Sequence, residues 1–171
     1  MEVLKAKIRH VPDFPKTGIL FYDVTTLLRD AQGLRLALDS ITQPFAGRGI
    51  ELVVGIESRG FILGAAVADR LGAGFVLVRK LGKLPAETVK ATYALEYGTD
   101  SLEMHRDAIE PGQRVLIVDD LLATGGTAAA AVSLVEKVGG QIEGLAFLIE
   151  LIALKGREKL PGQHIHPVLK Y

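Results

Sequence analysis

The chain has no cysteine and no tryptophan. Without thiols it can form neither a disulfide nor a thiolate metal site, and it has no cysteine nucleophile. Aromatic residues make up only 6% of the 171, so stacking platforms for single-stranded nucleic acid are scarce. Charge of one sign is not in excess: 20 Lys and Arg balance 20 Asp and Glu. A neutral chain lacks the basic field that non-specific nucleic-acid binding requires, although a local basic patch can still hold a small anion. No apolar run approaches the roughly 18 residues needed to span a bilayer. Met1 to Val11 is charged and mixed, with no apolar centre of a targeting signal. These absences lead us to expect a soluble, cytoplasmic protein that engages neither nucleic acid nor membrane.

What is present is a core. Hydrophobic residues make up 49% of the chain, which excludes wholesale disorder. At about 100–200 residues per domain, residues 1–171 read as one. Glu51 to Ile56 reads as a buried strand, Gly74 to Arg79 and Gly144 to Ile149 as further strands, and Arg114 to Val118 as a strand apolar on both faces, as in a parallel sheet. Helical spacing runs from Gly33 to Ala46, from Gly60 to Leu71 and from Gly126 to Val138, with Gly72 and Gly139 as stops. Strand–helix alternation of this kind predicts an α/β fold with a mostly parallel sheet flanked by helices. Residues 8–26 carry Pro12, Pro15 and Gly18 and are too broken for a helix. Residues 81–99 lack a clean period and read as one long loop.

The segment Val115 to Thr127, VLIVDDLLATGGT, is the most informative. A buried strand delivers Asp119 and Asp120 at its carboxyl end, and a loop of Ala123, Thr124, Gly125, Gly126 and Thr127 then opens a helix. Ligands of open α/β sheets bind outside the carboxyl ends of strands. A helix N-terminus offers unpaired N–H groups to a phosphate, and glycines let the backbone approach it closely. The two acids would repel that phosphate but can accept from ribose hydroxyls. The pattern therefore reads as a ribose 5-phosphate site. It is neither a P-loop, since no Lys-Ser/Thr follows the glycines, nor a dinucleotide fingerprint.

This segment resembles the phosphoribosyl-diphosphate motif of the type I phosphoribosyltransferases, most closely that of their adenine-using members. Pro12 to Thr26 is similar to the base-covering hood of those members, and Gly55 to Phe61 to their diphosphate loop. Arg79 to Pro85 and Tyr93 to Gly98 resemble the two ends of their mobile catalytic loop. Leu148 to Leu151 and Lys155 to Leu160 fit their C-terminal part, with Leu81 as a departure from the usual Pro or Arg.

The resemblance implies a type I phosphoribosyltransferase fold with a small N-terminal hood over residues 8–26 and a mobile loop over about 81–99. It implies transfer of the phosphoribosyl group from 5-phosphoribosyl diphosphate to adenine, giving AMP and diphosphate. It also implies Mg²⁺ held mainly by the substrate, with no protein metal ligands, and a homodimer. Ser58, Arg59 and Arg79 would bind diphosphate, with Arg79 able to reach a neighbouring subunit's site. A cis peptide is expected at Glu57–Ser58. Lys83 would compensate phosphate charge, Glu96 would handle the proton near purine N7, and Tyr97 would close the loop. Main-chain groups of Leu20 and Tyr22 would read the adenine edge. Transfer to another base and a non-catalytic sensor on the same fold stay open as alternatives. The hood and Leu95 to Gly98 count against the first, and the lack of a helix-turn-helix signal counts against the second.

Overall fold

The computed structural model describes residues 1–94 and 98–171. Residues 8–26 hold no helix up to Val24, but their last two, Thr25 and Thr26, open one. After one helical turn, α1 (Glu2–Lys5), the chain forms a separate antiparallel ladder of β1 (Arg9–Pro12) with β2 (Leu20–Asp23), and then another turn, α2 (Thr25–Leu28). The helix expected over 33–46 is α3 (Ala31–Thr42). It starts earlier because Asp30 caps it, accepting from the Gly33 N–H at 2.6 Å. Its end gives way to a tighter turn at Gln43–Phe45 that contains Pro44.

Then follow β3 (Leu52–Ile56), α4 (Arg59–Leu71), β4 (Gly74–Lys80), β5 (Thr88–Ala94), β6 (Thr99–His105), β7 (Arg114–Leu122), α5 (Gly126–Lys137), β8 (Gln141–Glu150) and β9 (Ile165–Lys170). Seven strands make the main sheet in the order β5-β6-β4-β3-β7-β8-β9. The run β4-β3-β7-β8-β9 is parallel, as the doubly apolar strand from Arg114 predicted, while β6 pairs antiparallel with both β4 and β5. β9 holds Pro167 and lies at the sheet edge, where a missing N–H costs no ladder bond.

The long loop expected over 81–99 needs correction. From Thr88 it is strand, paired with β6 from Thr88↔His105 to Ala94↔Thr99. Thr88, Val89, Thr92 and Tyr93 favour strands, but Gly82 and Pro85 just upstream mask the signal. The expectation that the strand from Arg114 ends at Val118 is also corrected. It runs on to Leu122, so Asp119 and Asp120 are strand residues.

Alternate residues of the central strands feed two cores. Val53, Leu116, Val118 and Ala146 pack with α3 and α4 on one face. Val54, Ile117, Leu145 and Phe147 pack with α5 on the other. No helix among the described residues is long and apolar enough to cross a membrane.

Candidate active site

β3 and β7 are parallel neighbours, with Val54 opposite Ile117, yet their helices lead to opposite sides of the sheet. From β3, α4 carries the chain to β4; from β7, α5 carries it to β8. The crevice between two such connections is where an open sheet binds its ligands. Here it sets two helix N-termini side by side. Neither Ser58, before α4, nor Gly125, before α5, caps its helix through a side chain. Both ends therefore present main-chain N–H groups and positive dipole to the same space.

That space is a cleft of about 240 Å³ lined by Glu57, Ser58, Arg59, Asp119, Asp120 and the whole run Leu121 to Ala128. Nine of the residues expected from sequence thus meet there: Ser58, Arg59, Asp119, Asp120, Ala123, Thr124, Gly125, Gly126 and Thr127. The Glu57–Ser58 peptide bond is cis, as expected. Two close approaches shape the cleft. A Cβ on Gly60 would lie 2.8 Å from Asp119 Oδ1 and 3.1 Å from the Val118 carbonyl oxygen, so only glycine lets α4 rest on the end of β7. Gly125, at φ +79°, turns the chain from β7 into α5.

The charges of the cleft are organised by one ion pair. The Arg59 guanidinium donates to the buried carboxylate of Asp120. Burial by itself would lower the Arg59 pKa, but the hydrogen bond and charge of Asp120, with Asp119 and Asp23 farther off, hold it above its ordinary value. Asp119 accepts from the Asp120 N–H at 2.9 Å. Burial, and then the neighbouring Asp120 charge, push the Asp119 carboxyl well above the usual carboxylate range. Asp23 is itself held down at about 2, chiefly by hydrogen bonds from Thr25 and then by Arg9.

Other expected residues lie around the cleft rather than in its lining. Arg79 Nε donates to Glu57 Oε2 at 2.9 Å, which ties β4 to the Glu57–Ser58 turn. Its Nη1 reaches the Lys83 carbonyl at 3.4 Å. The Lys83 and Leu84 N–H groups donate to the buried Glu103 carboxylate at 3.1 and 3.2 Å. Leu20 is exposed on β2. Tyr22 directs its ring against Tyr171, 4.2 Å between centroids, and against His10. Glu96 and Tyr97 lie outside the described residues.

Sequence reasoning missed Glu57 as a lining residue and Tyr93 as a neighbour of the lining residue Gly126. The Tyr93 ring stands beside Gly126, where a Cβ would come within 3.1 Å of it, and its hydroxyl donates to Asp100 at 3.2 Å. Both lie inside the quoted segments, but only the pairing of β5 with β6 discloses where Tyr93 sits. His166 bonds the Ser40 carbonyl at 3.1 Å and His164 packs edge-on to Phe45.

The model of the phosphoribosyl transferase domain matches residues 26–164. Adenine phosphoribosyltransferase of Acidobacterium capsulatum is 60% identical over 170 residues, covering 99% of this chain and 94% of the relative. The chain belongs to the adenine phosphoribosyltransferase family. The family member of Geotalea daltonii is 57% identical over the full length of both chains. Among solved structures, adenine phosphoribosyltransferase of Rhodothermus marinus superposes with a TM-score of 0.95 at 57% identity, covering 99% of this chain and 97% of that one. The Saccharomyces cerevisiae enzyme, complexed with an imino-altritol bisphosphate and adenine, gives 0.93 at 43% identity, covering 98% and 97%. The adenine-family cleft of this chain thus sits at its β3–β7 switch point.

Proposed function

We propose that this cleft transfers the phosphoribosyl group of 5-phosphoribosyl diphosphate to adenine, yielding AMP and diphosphate, a purine-salvage step. The observation that carries the reading is the meeting of two open helix N-termini and two adjacent carboxylates at one switch point. The run Ala123 to Thr127 at the start of α5 takes the 5-phosphate through main-chain N–H groups and the Thr124 and Thr127 hydroxyls. Asp119 and Asp120 accept from the ribose hydroxyls. Ser58 and Arg59 at the start of α4 hold diphosphate, with Arg79 and Lys83 supplying further positive charge.

As N9 of adenine bonds to C1 of the ribose, the C1–O bond to diphosphate breaks and positive charge develops on both ring systems. Glu96 shares the proton at purine N7 and offsets that charge, and Tyr97 closes over the diphosphate. The protein contributes orientation and electrostatics rather than a covalent nucleophile. Main-chain groups at Leu20 and Tyr22 match the 6-amino group and unprotonated N1 of adenine; hypoxanthine reverses both.

Among the described residues no group of three or more His, Cys, Asp or Glu is gathered to hold a metal. Asp119 and Asp120 are hard oxygen donors in the cleft, but one is engaged by Arg59 and the other disfavours its charge. This donor set fits a Mg²⁺ that would be held mainly by substrate oxygens rather than by the protein. The ion would supply charge neutralisation to the departing diphosphate. Residues 1–171 act as one domain, with 8–26 as hood and 81–99, including the strand Thr88–Ala94, as the catalytic segment. The protein works as a cytoplasmic homodimer.

A radiolabelled panel of adenine, hypoxanthine, guanine and orotate with 5-phosphoribosyl diphosphate and Mg²⁺ tests the reading. Adenine is expected to win by about 10⁴-fold in kcat/KM, because a site built on substrate hydrogen bonds rejects reversed partners strongly. Comparable values for adenine and hypoxanthine would overturn the base assignment.

A further inference from the structure

The cradle Ala123 to Thr127 has an underside formed by the backbone of Gly156, with the Leu122 side chain beside it. A Cβ on Gly125 would collide with the carbonyl oxygen of Gly156 and stand 3.1 Å from its Cα. A Cβ on Gly156 would collide with the carbonyl oxygen of Ala123 and stand 3.1 Å from the Gly125 nitrogen. Two glycines thus meet face to face without side chains. Nothing between them can adjust, so a displacement of Gly156 passes directly to the cradle.

Gly156 is buried and opens a short turn, Gly156–Lys159, whose neighbours hold it. Lys155 enters it at φ +52°, an uncommon conformation for a side-chain-bearing residue. Arg157 then reaches back with two hydrogen bonds, Nε to Glu150 Oε1 at 2.5 Å and Nη2 to Glu150 Oε2 at 2.9 Å. Glu150 is 5% exposed and ends β8. It pairs in register with Leu122, the residue just before the cradle, and the Leu151 N–H donates to the Leu122 carbonyl at 2.9 Å. The same carboxylate-bearing residue therefore abuts the cradle's entry through the sheet and its floor through Arg157.

A fork of two bonds to a buried carboxylate fixes direction as well as distance, which a single lysine contact does not. The N–H groups of an anion cradle bind strongly only when they already converge. We infer that Arg157, held by Glu150, is a positioning residue for the phosphate cradle, setting Gly156 under Gly125 so that the cradle is convergent before substrate arrives. The inference rests on the cradle being the 5-phosphate subsite proposed above.

The test is calorimetric titration of ribose 5-phosphate and, separately, inorganic diphosphate into wild type, Arg157→Gln and Arg157→Lys, with kcat and KM for both substrates. Wild type binding ribose 5-phosphate establishes the subsite; failure of wild type to bind it would overturn the subsite reading, and the inference with it. Given that binding, Arg157→Gln is expected to weaken ribose 5-phosphate about 10-fold or more, and Arg157→Lys about 3-fold. Inorganic diphosphate affinity and the KM for adenine should change less than 2-fold. Should Arg157→Gln not fold, Arg157→Lys carries the same comparison. Unchanged ribose 5-phosphate affinity in the folded variants, or equal loss of both ligands, would overturn the inference.

Discussion

Arg59, the first residue of α4, and Asp120, near the end of β7, are partners across the cleft, although sequence reasoning gave one to diphosphate and the other to ribose. They lie 61 positions apart, and the pairing of β3 with β7 brings them together. On the proposed reading, a charged hydrogen bond joins the diphosphate and ribose subsites, and substrate must share or divide it.

Loss of either partner should therefore act on the same step. Asp120→Asn and Arg59→Gln are each expected to lower kcat/KM for 5-phosphoribosyl diphosphate about 10–100-fold, from about 1.5–3 kcal/mol per charge-assisted bond. The double variant should lose much less than the product of the two. Steady-state kinetics of the cycle decides; fully multiplicative losses would separate the two residues.

Asp119→Asn should stabilise the fold while weakening the enzyme. The folded state raises the Asp119 pKa, so it favours the neutral form over the ionised one. The cost of ionisation sets in as pH rises through the unfolded carboxyl value of about 3.9 and is complete above the folded pKa. Asparagine is neutral throughout and keeps an oxygen for the Asp120 N–H. At pH 7 its Tm should exceed that of wild type, and the gap should close below about pH 4. A lower Tm at pH 7 would contradict the electrostatic account.

Glu103 should matter through Lys83. It is buried and accepts from the Lys83 and Leu84 N–H groups and from Thr88 Oγ1 at 3.3 Å. Glu103→Gln places an amide among donors and should cost about 1–3 kcal/mol of stability. If its kinetic effect runs through Lys83, then Lys83→Ala should cost less in the Glu103→Gln background than in wild type. Equal costs in the two backgrounds would dissociate them.

Glu96→Gln should lower kcat by about 10²–10⁴-fold with far smaller changes in KM, since glutamine keeps a hydrogen bond but neither a proton to share nor a charge. Full kcat in this variant would leave Glu96 without a chemical role.

The sequence by itself was enough for the local pattern of strand, acids, glycines and helix. Doubly apolar runs such as Val115 to Val118 announce a parallel sheet because a strand covered on both faces has no polar side. The order of two acids, two glycines and a helix announces an anion site because every part of that device is contiguous. Long-range partners were not legible. Thr88 to Ala94 becomes a strand only because β6 supplies its hydrogen bonds. That Arg59 meets Asp120, that Tyr93 stands beside Gly126, and that Gly156 floors the cradle were decided by tertiary structure. Each depends on strand order and on the approach of surfaces distant in the chain. Periodicity reports which face of an element is buried, but not which element lies against it.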